Sequence, residues 1–272
     1  MMEDRPLAKL IKSAFCLCLC AFLLVGCAFD MNGVNKVVDA VTPTKLSGEL
    51  KSNAFVPSDG FVARKLNFEK ISFTNTANAK IYIVPSDETR VEATYPSDME
   101  DYGFRVYYRE GEIEISVPKQ TNFIAEKFEI TVFANIEEIE ISGGIALEMD
   151  AEASPKIDID VTGGADIYVY NINTSATEID IDGAASLDLS GNTDVLELDL
   201  AGAGSIDAKS LVCKKAEVKI SGASSAALSV TDELLADIDG VGALEYYGDP
   251  IVKNISGGLT DLEQASKEIY GG

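Results

Sequence analysis

From Ile136 to Ile255 the chain keeps returning to one pattern, in which apolar and polar residues alternate, a glycine interrupts them, and the alternation resumes. The glycines are Gly143, Gly163, Gly183, Gly202, Gly222, Gly240 and Gly257, spaced by 20, 20, 19, 20, 18 and 17 residues. Two positions before each stand Ile141, Val161, Ile181, Leu200, Ile220, Ile238 and Ile255, and four before stand Ile139, Ile159, Ile179, Leu198, Val218 and Ala236. Four after come Leu147, Ile167, Leu187, Ile206, Ala226 and Leu244; six after come Met149, Val169, Leu189, Ala208, Leu228 and Tyr246. Period two on both sides of a glycine predicts two short strands joined at a bend. Glycine suits that bend because it accepts positive φ and lets two backbones approach.

One such unit cannot bury its apolar side alone, so copies must stack, each aliphatic resting on its counterpart in the next. The fold expected is all-β: a right-handed parallel β-helix-like stack of coils about 20 residues long, with irregular N-terminal coils. Seven rungs about 4.8 Å apart would rise about 34 Å. A β-sandwich is the rival, since evenly spaced alternating strands also describe it, but a sandwich gives no reason for one residue class at four fixed offsets from a glycine. Upstream, 68–74, 79–84, 90–94, 104–108, 112–117 and 128–134 read as strands with polar turns. No linker rich in Pro, Gly or Ser divides them from Ile136, so they are expected to open the same stack.

The N-terminus is of a different kind. Arg5, Lys9 and Lys12 precede an uncharged apolar stretch from Ser13 to Gly26. This pattern reads as an export signal, and the stretch is shorter than the roughly 20 residues that span a bilayer. It closes on Leu24-Val25-Gly26-Cys27, which resembles the bacterial lipobox. That resemblance implies cleavage before Cys27, acylation of Cys27, and attachment to the membrane through N-terminal acyl chains, with the protein exported to the outer membrane or cell surface. The expected organisation is a signal peptide over 1–26, a flexible tether over 27–60 with a short helix near Val34–Val41, one body over 61–264, and a tail over 265–272. Of the five cysteines, Cys16, Cys18 and Cys20 leave with the signal and Cys27 carries lipid, so Cys213 cannot pair within the chain. Beside Lys214 and Lys215 it is either a small core filler or a thiol activated by the lysines.

Charge narrows the function. Twenty-two Lys and Arg against 45 Asp and Glu give −23, which argues against a nucleic-acid partner. Histidine is absent, removing imidazole bases and imidazole metal ligands. The acids are ordered: Glu140, Asp160, Asp180 and Asp199 fall three before successive glycines, and Glu138, Asp158, Glu178, Glu197 and Glu217 five before. Stacking sets like charges about 5 Å apart, at about 1 kcal/mol per pair in water. The first column is a candidate weak calcium ladder, set against a solvated acidic face. Polysaccharide-acting enzymes also use carboxylate pairs, but these carboxylates form regular columns, no arginine follows Arg109, and no Gly-x-Ser-x-Gly elbow occurs. The expectation is therefore no catalytic residue, no metal and no cofactor. Tyr168 and Tyr170 point outward by the same register, and Tyr246 and Tyr247 lie at the far end.

The segments Val218-Lys219-Ile220-Ser221-Gly222-Ala223-Ser224, Ile238 through Pro250 and Ile255-Ser256-Gly257-Gly258, with Phe68-Glu69-Lys70-Ile71 and Ala79-Lys80-Ile81-Tyr82-Ile83 upstream, resemble the head GIN domain family over residues 66–262. The double glycines Gly143-Gly144 and Gly163-Gly164 depart from that family's alternating turn. The resemblance implies a stacked β-fold outside the cytoplasm and an adhesin-like role toward a protein or glycan ligand, and it carries no catalytic residues. Related stacked domains in envelope stress signalling imply a second reading, an envelope-sensing accessory that binds another protein.

Overall fold

The computed structural model describes residues 44–46, 48–57, 68–76, 78–117, 123–125, 127–254 and 259–265. Cys27, Gly257, the Val34–Val41 segment and the signal region lie outside them. In chain order the strands are β1 (Thr44–Leu46), β2 (Leu50–Phe55), β3 (Lys70–Thr74), β4 (Ala79–Val84), β5 (Arg90–Pro96), β6 (Arg105–Arg109), β7 (Glu112–Ser116), β8 (Phe123–Ala125) and β9 (Glu129–Phe133). They continue with β10 (Glu138–Asp150), β11 (Lys156–Tyr247), β12 (Ile251–Asn254) and β13 (Leu259–Gln264). One short 3-10 turn, Ser97–Glu100, interrupts them.

β11 is 92 residues of continuously extended chain. Straight, it would run about 300 Å; instead it bends repeatedly and stacks on itself. Glycines with positive φ make the bends, and they lie on one another: a Cβ built on Gly163 would stand 2.4 Å from the carbonyl oxygen of Gly143, and one on Gly202 2.1 Å from that of Gly183. β10 pairs with the start of β11 in parallel and in register at an offset of 20, from Glu138 opposite Asp158 to Asp150 opposite Tyr170. Gly143 and Gly144 face Gly163 and Gly164 in that ladder, so the doubled glycines stack without breaking it.

The four aliphatic columns are interior. Ile139, Ile159, Ile179, Leu198, Val218 and Ala236 are all buried, as are Ile141, Val161, Ile181, Leu200, Ile220 and Ile238 two before the glycine and the columns four and six after it, except that Tyr246 is only partly buried at the far end. At about 1.5–3 kcal/mol for each large side chain, these columns are the main source of stability. A further stretch of each repeat brings in polar interior groups that are paired: Thr174 Oγ1 lies 2.9 Å from both Thr177 Oγ1 and Thr193 Oγ1, and Ser154 Oγ donates to the carbonyl of Ile136 at 2.6 Å. Such hydroxyls can be buried because each has a partner.

The upstream strands form at the expected positions and join the same sheet, but their order in space is not their order in sequence. β3 and β4 pair in parallel with the two halves of β10, at Ile71 opposite Ile139 and Ile81 opposite Leu147. The later strands β7 and β9 lie on the other side of β3 and β4. After β9 the chain therefore passes back over an earlier layer to reach β10. Antiparallel strands then close this end: β6 on β7, β5 on β9 and β2 on β5. Phe104 packs on Tyr95, Phe128 and Phe55 at centroid distances of 4.4, 5.5 and 6.1 Å. Stacked repeats need such a terminal cover over their interior.

One expectation is corrected. The sequence predicts a flexible tether over 27–60, yet Thr44–Leu46 and Leu50–Phe55 form β1 and β2, and β2 pairs with β5 along its length, Leu50 to Pro96 and Phe55 to Val91. β2 buries none of its six residues fully. It is held by backbone pairing and by the hydrogen bond from Tyr108 Oη to the carbonyl of Phe55, 2.7 Å, interactions that leave no hydrophobic period to read.

Candidate functional site

Two outward faces carry side chains in ordered rows, because register partners in a sheet point to the same side. The first precedes the glycine bends. Glu140 is the partner of Ser72 and of Asp160, and Asp180 and Asp199 continue the row. With Thr74, Ser142, Thr162 and Asp182 they line a shallow open groove of about 640 Å³. Between Lys156 and Lys209 the chain has no basic residue, so the middle of this face is uncompensated. Burial first, then the neighbouring carboxylates, raises the pKa values of Asp158, Glu178 and Asp180 above the usual carboxylate range.

Both ends of the acidic face are partly neutralised. Lys70 donates from Nζ to Glu138 and Glu140 together, and these two bonds hold its ammonium above the ordinary lysine range. Lys219 pairs with Glu217 at 2.8 Å. The role of Lys70 was not legible, because the β3–β10 register that delivers it spans 68 residues. Among the described residues no three acidic, histidine or cysteine side chains gather into a cluster able to hold a metal ion. The columns spread their carboxylates along the face instead of converging them.

The second face follows the bends. Tyr168 and Tyr170 stack at 5.4 Å, and Glu148 and Asp150 are their register partners. Tyr82 of β4 faces the other side of Glu148. The outward direction of Tyr168 and Tyr170 was read from the chain, but the approach of Tyr82 was not. Cys213 resolves toward the core filler: it is fully buried, its Sγ donates to the carbonyl of Ser229 at 3.3 Å, and burial pushes its thiol up to about 12. Lys214 is drawn away by Asp194 at 2.6 Å.

Of the turn glycines, Gly143, Gly163, Gly183, Gly202 and Gly222 stand at positive-φ bends, and Gly240 lies within β11.

The family model described as "putative auto-transporter adhesin, head GIN domain" matches residues 61–250. The chain belongs to the head GIN domain family. Among solved structures, a putative adhesin from Bacteroides fragilis is similar with a TM-score of 0.65 at 19% identity, over 80% of this chain and 97% of that one. A protein from Parabacteroides distasonis described as a putative lipid binding protein is similar with a TM-score of 0.59 at 15% identity, covering 80% and 98%. A putative adhesin from the same organism gives 0.56 at 19%, with the same coverage. At these identities the likeness is one of fold. Among curated proteins none matches the chain. Membership in this family goes with an adhesin-like surface or envelope protein.

Proposed function

We propose that this head GIN protein is an exported lipoprotein, cleaved before Cys27 and anchored by acyl chains there, whose rigid body is a non-enzymatic, adhesin-like binding module. The anchor rests on the lipobox-like Leu24-Val25-Gly26-Cys27 after an apolar stretch. The body, in this reading, is a single right-handed parallel β-helix, a hand favoured by the general preference of parallel crossovers.

The observation that carries the binding reading is the contrast between interior and exterior. The interior columns are uniformly aliphatic, while the outward rows hold ordered carboxylates on one face and tyrosines with carboxylates on the other. Stacking orders the rows but does not dictate which residues fill them, and exposed tyrosines are favoured contact residues. The strong net negative charge favours a body held away from anionic headgroups.

The test is cross-linked capture by the full-length protein on cells, compared with Cys27→Ala. Matrix glycans or proteins of another cell support adhesion. Exclusive capture of a regulator in the same membrane favours the sensing accessory and overturns the adhesin reading. Cys27→Ala should lose radiolabelled palmitate and be released to the medium; unchanged retention contradicts the anchor.

A further inference from the structure

The tyrosine face contains an arrangement that the repeat alone does not require. Glu148 is the register partner of Tyr82 on one side and of Tyr168 on the other. Adjacent strands are about 4.8 Å apart, so the backbones of the two tyrosines stand about 10 Å apart with that of Glu148 between them. Tyr82 and Tyr168 are 36% and 42% exposed, and Glu148 is exposed. Tyr170 stacks on Tyr168 and faces Asp150 across the ladder. Asp150 is itself oriented, accepting from Asn171 Nδ2 and from the backbone N–H of Glu152, both at 3.1 Å. Two residues before Glu148, the small Ala146 stands between Lys80 and Asp166 in the ladder.

The field at this place is negative. Asp166 faces Ala146 across the ladder, and Asp188 lies on the next coil, its pKa raised by burial and by Asp207. The pKa of Tyr170 is raised by burial and then by Asp150 and Glu148. The cations of this face are engaged elsewhere or unpaired with the site. Arg90 pairs with Glu92 and lies over the Phe133 ring at 3.6 Å, and Lys209 pairs with Asp207. Lys80, two residues before Tyr82 in β4, lies between Ala146 and Glu129 in the ladder and not opposite Glu148 or Asp150.

Ring faces attract cations through the aromatic quadrupole, and a carboxylate between two rings adds a charged acceptor. A neutral ligand gains nothing from the field and an anion is repelled. A planar guanidinium fits best, since it can stack on a phenol ring while offering its fork of donors to a carboxylate. We propose that Tyr82, Glu148 and Tyr168, flanked by Asp150 and Tyr170, form a recognition site for an arginine side chain presented by a protein partner. This deepens the binding reading above and rests on it.

The experiment is a titration of the full mature chain, carrying 13C-labelled tyrosine, with an acetylated and amidated peptide, Gly-Arg-Gly-Gly-Arg-Gly, at about 0.15 M ionic strength. The same peptide with citrulline for arginine keeps the shape and removes the charge. Binding of the arginine peptide should shift the ring resonances of Tyr82, Tyr168 and Tyr170, and the citrulline peptide should bind at least about tenfold more weakly. Glu148→Gln and Tyr168→Ser should each weaken binding by about tenfold with the melting temperature kept, whereas Asp180→Asn on the other face should change it by less than about twofold. Lys80→Met should tighten it. Equal binding of both peptides, or equal loss in Glu148→Gln and Asp180→Asn, overturns the site. Absent arginine binding while cells still capture a partner removes this site alone; loss of both removes the binding reading as well.

Discussion

Replacing Gly202 by alanine tests the stack at a close glycine-on-glycine approach. Gly202 has φ 136°, and a Cβ there would stand 2.1 Å from the carbonyl oxygen of Gly183 and 3.1 Å from its carbonyl carbon and nitrogen. Backbone cannot swing aside as a side chain can, so two coils must separate locally. Holding a side chain in a glycine-only region costs about 1–3 kcal/mol, and forcing atoms into a filled interior costs about 1–3 kcal/mol more. The expected loss is about 2–6 kcal/mol, which at about 2–4 °C per kcal/mol lowers Tm by about 4–24 °C. Two controls separate the contributions. Gly111 has φ 80° with nothing within 4 Å of its Cβ position, so Gly111→Ala should cost about 1–2 kcal/mol. Gly144 has Gly164 oxygen at 3.8 Å, an ordinary contact, and Gly144→Ala should stay within about 1 kcal/mol of the parent. Urea unfolding followed by far-UV circular dichroism reads all three. If Gly202→Ala matches Gly144→Ala, glycine-on-glycine stacking is refuted.

Other outcomes follow from the same geometry. Leu198→Ala, at a buried position of the aliphatic column, should cost about 2–5 kcal/mol in urea unfolding. Asp158, Glu178, Asp180 and Asp188 have raised pKa values in the folded state, so their stabilising share is complete below their unfolded values and lost as pH rises through the folded ones. The urea midpoint should therefore rise as pH falls from about 7 toward about 4, and Asp180→Asn should flatten that rise. A midpoint that falls over this window contradicts the assignment. Below it, Glu100 and Glu233, whose pKa values are lowered by Lys51 and Lys253, act in the opposite sense as they protonate. Lys70→Met strips Glu138 and Glu140 of their shared cation; it should lower stability by about 1 kcal/mol at low salt, and added NaCl should recover part of it. Cys213 should resist a thiol reagent in the native protein and react on unfolding; rapid native labelling would contradict its burial.

The stack was legible because its signal is redundant. A single alternating run could belong to many folds, but the same class at four offsets from Gly143, Gly163, Gly183, Gly202 and Gly222 leaves few ways to bury it, and those residues are buried. The N-terminal end was less legible for a physical reason. Its strands could be located, since β4 alternates buried and exposed without a break, but their spatial order depends on pairings that skip along the chain, as β3 does in lying between β7 and β10. Edge strand β2 has almost no apolar face, and an edge needs only backbone partners. On the exterior, the acidic rows and the outward Tyr168 and Tyr170 came from the period itself. Lys70 between two glutamates, and Tyr82 opposite Glu148, could be found only once long-range register was known.

The most direct test of the β-helical stack is a set of distances along one outward row. Spin labels placed pairwise at Glu140 and Asp199, and at Glu140 and Asp237, should show separations that grow by about 4.8 Å for each coil between them, about 14 Å and then about 24 Å between backbones. Separations that alternate between short and long, as strands shared between two facing sheets would produce, contradict the stack.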